Sequence, residues 1–267
     1  MLQRQQKNLL HKLTTTLLMC LFLSSSVAYS SDIPRSMGSL GDSITAGALA
    51  AFNRDEALDP FAIPKFIYYL LRFEYLRSVR AIEARQLSWA TGLGKKMNSH
   101  ASRLKKLAAQ EGYKFSAYNA AVSGATSKEL DAQVTDLLNW SQKNNKEAAP
   151  GYVVVDIGSN DACGSNLEEM TPTGDYSQNV EAAVERVLTA SPDTKILLGG
   201  IPNIIHLKET AQDSPHSSFN IFKTYKDVWK KMKICSNVLN ENDPEKIQVV
   251  ANRISAYMHE LEMITDQ

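Results

Sequence analysis

"YVVVDIG", residues 152–158, carries three valines in succession with no polar alternation. A strand with one wet face alternates apolar and polar residues; an unbroken β-branched run belongs to a strand buried on both faces. Such strands sit in parallel sheets covered by helices on each side. Reading outward, "RSMGSLG" (35–41), "YKFSAYNAA" (113–121) and "KILLGG" (195–200) supply three further strands. Helical patterns at 98–110 (ended by Gly112), 128–140 and 176–190 fall between them. The β-α-β-α order, without internal repeats, predicts an α/β protein with three α/β/α layers around a central parallel sheet. Ligands on such sheets bind at the carboxyl ends of the strands, and Ser43, Gly124 and Asn160 each follow a predicted strand end.

Residues 60–85 place Ile63, Phe66, Ile67, Leu70, Leu71 and Ile82 at helical spacing. Lys65, Arg72, Arg77, Arg80 and Arg85 form the other face. It would suit peripheral contact with an anionic membrane surface, and a plain solvated face is the simpler reading. The last helix starts at Asp243-Pro244-Glu245, an N-cap followed by proline at the first helical position. Ile247, Val250, Ile254, Tyr257, Met258 and Leu261 then mark its apolar face.

With 43% hydrophobic and 22% charged residues, the 267-residue chain has ordinary globular composition. Residues 1–30 stand apart. Arg4, Lys7 and Lys12 precede the apolar "LTTTLLMCLFLSSSVA", and "AYS" offers small residues for cleavage near Ser30. This predicts a signal peptide over 1–30, a secreted or periplasmic protein, and a working domain over 31–267. A retained anchor is the alternative. Met19 before Cys20 is too large for a lipoprotein site. Bases and acids number 29 each, so losing residues 1–30 leaves three more acids than bases. That field does not favour nucleic acid as a partner. Cys163 and Cys235 remain, free to pair in an oxidising compartment or to stay as thiols. The sequence has no HExxH, CxxC pair, spaced acidic loop or phosphate-loop pattern, so neither metal nor cofactor is expected.

The chemistry centres on "SLGDSITAGA", residues 39–48. Ser43 is a poor nucleophile at neutral pH unless a base takes its proton. Three ordered blocks resemble the GDSL-type, or SGNH, hydrolases: "GDSITAG" (41–47), "NAAVSGATS" (119–127) and "GSND" (158–161). The resemblance spans roughly residues 36–265 and implies an SGNH/flavodoxin-like hydrolase fold. It implies Ser43 as nucleophile, with the Ser43 and Gly124 N–H groups and the Asn160 amide as oxyanion donors. Alone, Asn160 and Asp161 would read as a strand-end turn. Asp42 and Asp161 are implied to organise local turns rather than to serve as the catalytic acid.

The family's acid–base pair is an Asp-x-x-His near the C-terminus, after a fifth strand. The only such string here is "DSPH", Asp213 to His216, which comes too soon after "KILLGGIPN" and reads as a coincidental loop. His11 lies in the signal, His100 opens a helix, His206 is expected in a loop, and His259 lies late in the last helix. The chain therefore reads as ending before the last strand, the acid–base pair and the closing helix. The expected function is a serine ester hydrolase. Through "LSWATG" (87–92) and the "IPN…W…KIC" stretch, the resemblance implies lipase, phospholipase or lysophospholipase-like chemistry. A carbohydrate O-acetyl esterase and an inactive, ligand-binding remnant are the alternatives.

Overall fold

The structure, a computed structural model, describes residues 32–48, 85–94, 97–214 and 224–266. The chain divides into two units, Met1–Asp32 and Ile33–Gln267, and the strands and helices named below all belong to the second. The predicted signal peptide, most of the predicted helix at 60–85, and His216 lie outside the described residues.

Four strands form one parallel sheet, β1 (Ser36–Gly41), β2 (Ser116–Asn119), β3 (Tyr152–Asp156) and β4 (Lys195–Leu198), in the order β2-β1-β3-β4. β3 lies inside the sheet, and its valines divide between the two faces. Val153 and Val155 enter the larger core with Leu40, while Val154 joins Met37, Ala90 and Ala101 in a smaller core on the other side. β4 is the outer strand of the described sheet, with Lys195 and Leu197 exposed.

Around the sheet run α1 (Ser43–Ala46), α2 (His100–Gln110), α3 (Leu130–Asn145), α4 (Ser159–Ala162) and α5 (Thr173–Ala190). α6 (Ile204–Ala211), α7 (Tyr225–Met232), α8 (Ser236–Leu239) and α9 (Pro244–Thr265) complete the described helices. α2 packs on β2 at the smaller core; α3 packs on β1 and on α5, and α5 packs on α9. The α5–α9 contact is anchored by buried Tyr176 and Tyr257, whose stacked rings have centroids 4.2 Å apart. The result is the expected three-layer α/β/α arrangement. As predicted, Asp243 caps α9 by accepting the Glu245 N–H at 2.9 Å, and Val250, Tyr257 and Leu261 are its buried face.

Several boundaries move. β2 is only four residues long; beyond it the Asn119 side chain accepts the Ala121 N–H at 3.0 Å, while Ala120 and Val122 still donate their N–H groups to Ser39 O and Gly41 O of β1. α3 runs five residues past the predicted 140, to Asn145. His206, expected in a loop, lies in α6. Asn203 caps that helix by accepting the His206 N–H at 2.9 Å, which continues the helical turn.

Candidate active site

The carboxyl ends of β2, β1 and β3 bring the three sequence blocks together through direct hydrogen bonds. The β1 end is joined to the second block where the Val122 N–H donates to Gly41 O at 3.1 Å. It is joined to β3 where the Asp42 N–H donates to Asp156 O at 3.3 Å. The second and third blocks meet where the Asn160 amide donates to Ala125 O at 2.8 Å. Asp161 then accepts both the Ser127 N–H (2.8 Å) and the Ser127 hydroxyl (2.7 Å). Three loops far apart in sequence thus form one rim.

On that rim the groups able to act on a ligand face outward and the acids beside them face inward. Ser43 and Asn160 are half-buried and Gly124 is exposed, whereas Asp42 and Asp161 are buried. Ser43 opens α1, with Asp42 as its N-cap accepting the Ile44 N–H at 2.9 Å. Neither the Ser43 N–H nor the Gly124 N–H has a hydrogen-bond acceptor among the described residues. Gly124 has φ +81°, a left-handed backbone favouring glycine, and a Cβ built there would meet nothing within 4 Å. The Asn160 amide spends one N–H on Ala125 O and retains a second. These are the kinds of donor that an oxyanion site requires.

Beneath the rim lies a set of buried carboxyls that sequence reading only partly anticipated. Burial pushes Asp42 up to about 7; the charges of Asp156 and Asp161 add to this, and the Ile44 N–H bond opposes it. Asp42 Oδ2 finds no well-formed hydrogen bond among the described residues, with the Ser159 side chain giving partial relief. Burial also raises Asp156 and Asp161. Asp156 was not expected as a site residue. It accepts the Thr45 hydroxyl at 3.0 Å and so holds α1 from below.

The "LSWATG" stretch braces the same frame. The Ser88 hydroxyl donates to Thr45 O at 2.7 Å, and the Asn119 amide reaches both Thr45 O (2.8 Å) and Thr91 Oγ1 (2.9 Å). Asn119 opens the second sequence block, and neither it nor Asp156 carries a signal for this bracing role beyond its place at a strand end. That position, in the sheet architecture, is the clue that could have found them.

Among the described residues no histidine bonds to Ser43. His100 pairs its Nδ1 with Tyr152 Oη at 3.0 Å, at the amino end of β3 and so at the opposite end of the sheet. Burial lowers its pKa. His206 and His259 lie on exposed helix faces beside Glu209 (3.7 Å) and Glu262 (3.9 Å). No group of three or more His, Cys, Asp or Glu among the described residues is arranged to hold a metal ion. Cys163 and Cys235, left open by the sequence, form a disulfide.

Fold and rim together define an α/β protein with a serine just past the end of an inner parallel strand, on loops hydrogen-bonded to those that carry Gly124 and Asn160. The sequence pattern of the GDSL-like lipase/acylhydrolase family matches residues 38–262, and the chain belongs to that family of ester hydrolases. No curated protein is significantly similar to this sequence. Among solved structures it is similar to TesA at 17% identity (TM-score 0.33), covering 86% of this chain and 99% of that one. It is similar to the psychrotrophic esterase EstA from Pseudoalteromonas sp. at 12% identity (TM-score 0.33), covering 87% and 100%. The phospholipase A1 from Streptomyces albidoflavus NA297 is 12% identical (TM-score 0.40), with 87% of this chain and 76% of that one covered.

Proposed function

We propose that this chain is a serine ester hydrolase that works through an acyl-serine intermediate. The reading is carried by one observation: the loops bearing Ser43, Gly124 and Asn160 are hydrogen-bonded to one another on a single rim. In the reaction, Ser43 Oγ attacks the ester carbonyl carbon and its proton passes to a base. The carbonyl oxygen becomes an oxyanion facing the Ser43 N–H, the Gly124 N–H and the Asn160 amide. The alkoxide leaves as an alcohol on taking up a proton, and water then hydrolyses the acyl-serine by the same steps. Removing one oxyanion donor typically costs about 10²–10³ in turnover.

The substrate proposed is a lipid carboxylic ester, lipase- or lysophospholipase-like; exposed Ile44, immediately beside the nucleophile, offers an acyl chain an apolar surface. The Cys163–Cys235 disulfide supports export to an oxidising compartment. The test is hydrolysis of p-nitrophenyl esters graded in acyl length, together with labelling by a fluorophosphonate. Both should be abolished by Ser43→Ala. A catalytic role for Asp213 and His216 would show as equal loss in His216→Ala.

The second reading is a binding remnant that keeps the rim without a base. Among the described residues, His100, His206 and His259 are each paired away from Ser43. Wild-type protein that binds lipid esters, yet neither hydrolyses them nor takes the label, would establish it.

A further inference from the structure

The turn carrying Asn160 is gripped from two sides. Toward the second block, Asp161 holds Ser127. On its other flank, a segment more than seventy residues later closes on it. Cys235 is bonded to Cys163, which caps the helix α4 that carries Asn160. Two residues on, Asn237 brackets the same turn with three hydrogen bonds. Its amide donates to Ala162 O (2.9 Å), its Oδ1 accepts from the Gly164 N–H (3.2 Å), and its own N–H donates to Gly164 O (3.0 Å).

Asn237 is 4% exposed, and a buried side-chain amide is costly unless its hydrogen bonds are made. Cys235 sits at φ 44°, a left-handed backbone that a non-glycine residue holds only where its surroundings enforce it. A polar side chain is thus committed to the backbone of residues 162–164, beside a disulfide to residue 163, with Asn160 only two residues away.

We propose that Asn237 and the Cys163–Cys235 disulfide form a clamp that fixes the direction of the Asn160 amide, making Asn237 a positioning residue for the oxyanion site. The catalytic consequence rests on the function proposed above; the positioning itself does not. A small displacement of a positioned group costs up to about a hundredfold in rate, so the clamp acts on turnover rather than on ground-state binding.

The experiment uses the full chain. In ¹⁵N-labelled protein the Asn160 side-chain amide is assigned by its absence in Asn160→Ala. In Asn237→Ala, and in wild type reduced with a phosphine, this signal should shift and exchange faster while circular dichroism stays that of a folded protein. An unchanged Asn160 amide overturns the clamp. Should Asn237→Ala fail to fold, the reduced wild type decides by the same signal. Asn237→Asp, which retains the acceptor for the Gly164 N–H, should lie in between.

In the activity arm, Asn237→Ala should lower kcat about 10- to 100-fold with KM within about twofold. It should add nothing further in an Asn160→Ala background. An equal loss in both backgrounds would mean a merely structural role and would overturn the proposal. A wild type that hydrolyses no ester would sink the function reading and leave the amide signal to decide the clamp.

Discussion

Gln133, on α3, satisfies both backbone polar groups of Gly41, its N–H and its C=O. Its Oε1 accepts the Gly41 N–H at 2.7 Å and its Nε2 donates to Gly41 O at 2.9 Å. The helix thereby holds the last residue of β1, two positions before the nucleophile, through a buried side chain 92 residues away in sequence. Replacing it with leucine keeps much of the volume but leaves the Gly41 N–H unpaired in the interior, while Gly41 O still has Val122. Gln133→Leu should therefore lose about 1–3 kcal/mol, seen as a lower urea midpoint with an unchanged slope.

Two glycines of the rim should respond differently to alanine. Gly41 has φ +149°, and a Cβ there would stand 2.2 Å from Asp156 O, a backbone atom with little room to retreat. Gly41→Ala should fail to give folded protein. Gly124, at φ +81° with open space around a Cβ, should tolerate alanine at about 1–2 kcal/mol of backbone strain. Its methyl would then stand beside the proposed oxyanion site, so Gly124→Ala should fold, melt slightly lower and turn over far more slowly.

Asp42 makes stability depend on pH in the direction opposite to a salt-bridged acid. Its carboxyl is raised to about 7 in the folded protein, against about 3.9 when unfolded. Across that window the folded state holds a proton that the unfolded state has released. This group's contribution is full below about pH 4 and is lost as pH rises through 7, at on the order of 1 kcal/mol per pH unit. Asn still caps α1 but does not titrate. Asp42→Asn should therefore flatten the fall in unfolding free energy between about pH 4.5 and about pH 7.5; an unchanged slope would show that Asp42 does not titrate there. Asp156 and Asp161 are raised in the same direction and leave a residual slope.

Thr45→Val removes the hydroxyl that Asp156 accepts while retaining the side chain's shape. The lost bond should cost about 1–3 kcal/mol. It should also push the Asp156 carboxyl further up, since burial then acts without that compensation. The variant should consequently be more destabilised at about pH 8 than at about pH 5, read from paired denaturation curves.

What the sequence determined by itself was local and periodic. The unbroken valines of β3 specified a strand covered on both faces, and Asp243-Pro244 specified the start of α9, because burial period and helix capping are written in neighbouring residues. The three blocks placed Ser43, Gly124 and Asn160 at strand ends for the same reason. Only the tertiary structure decided what holds those strand ends. Gln133 reaching Gly41, Thr45 reaching Asp156, and Asn237 with Cys235 gripping the Asn160 turn all join positions 70 to more than 100 residues apart. A buried polar group takes whichever partner the packed layers bring within about 3 Å, and no local pattern in the chain encodes that proximity. The state of Cys163 and Cys235 and the burial that raises Asp42 were fixed by packing in the same way.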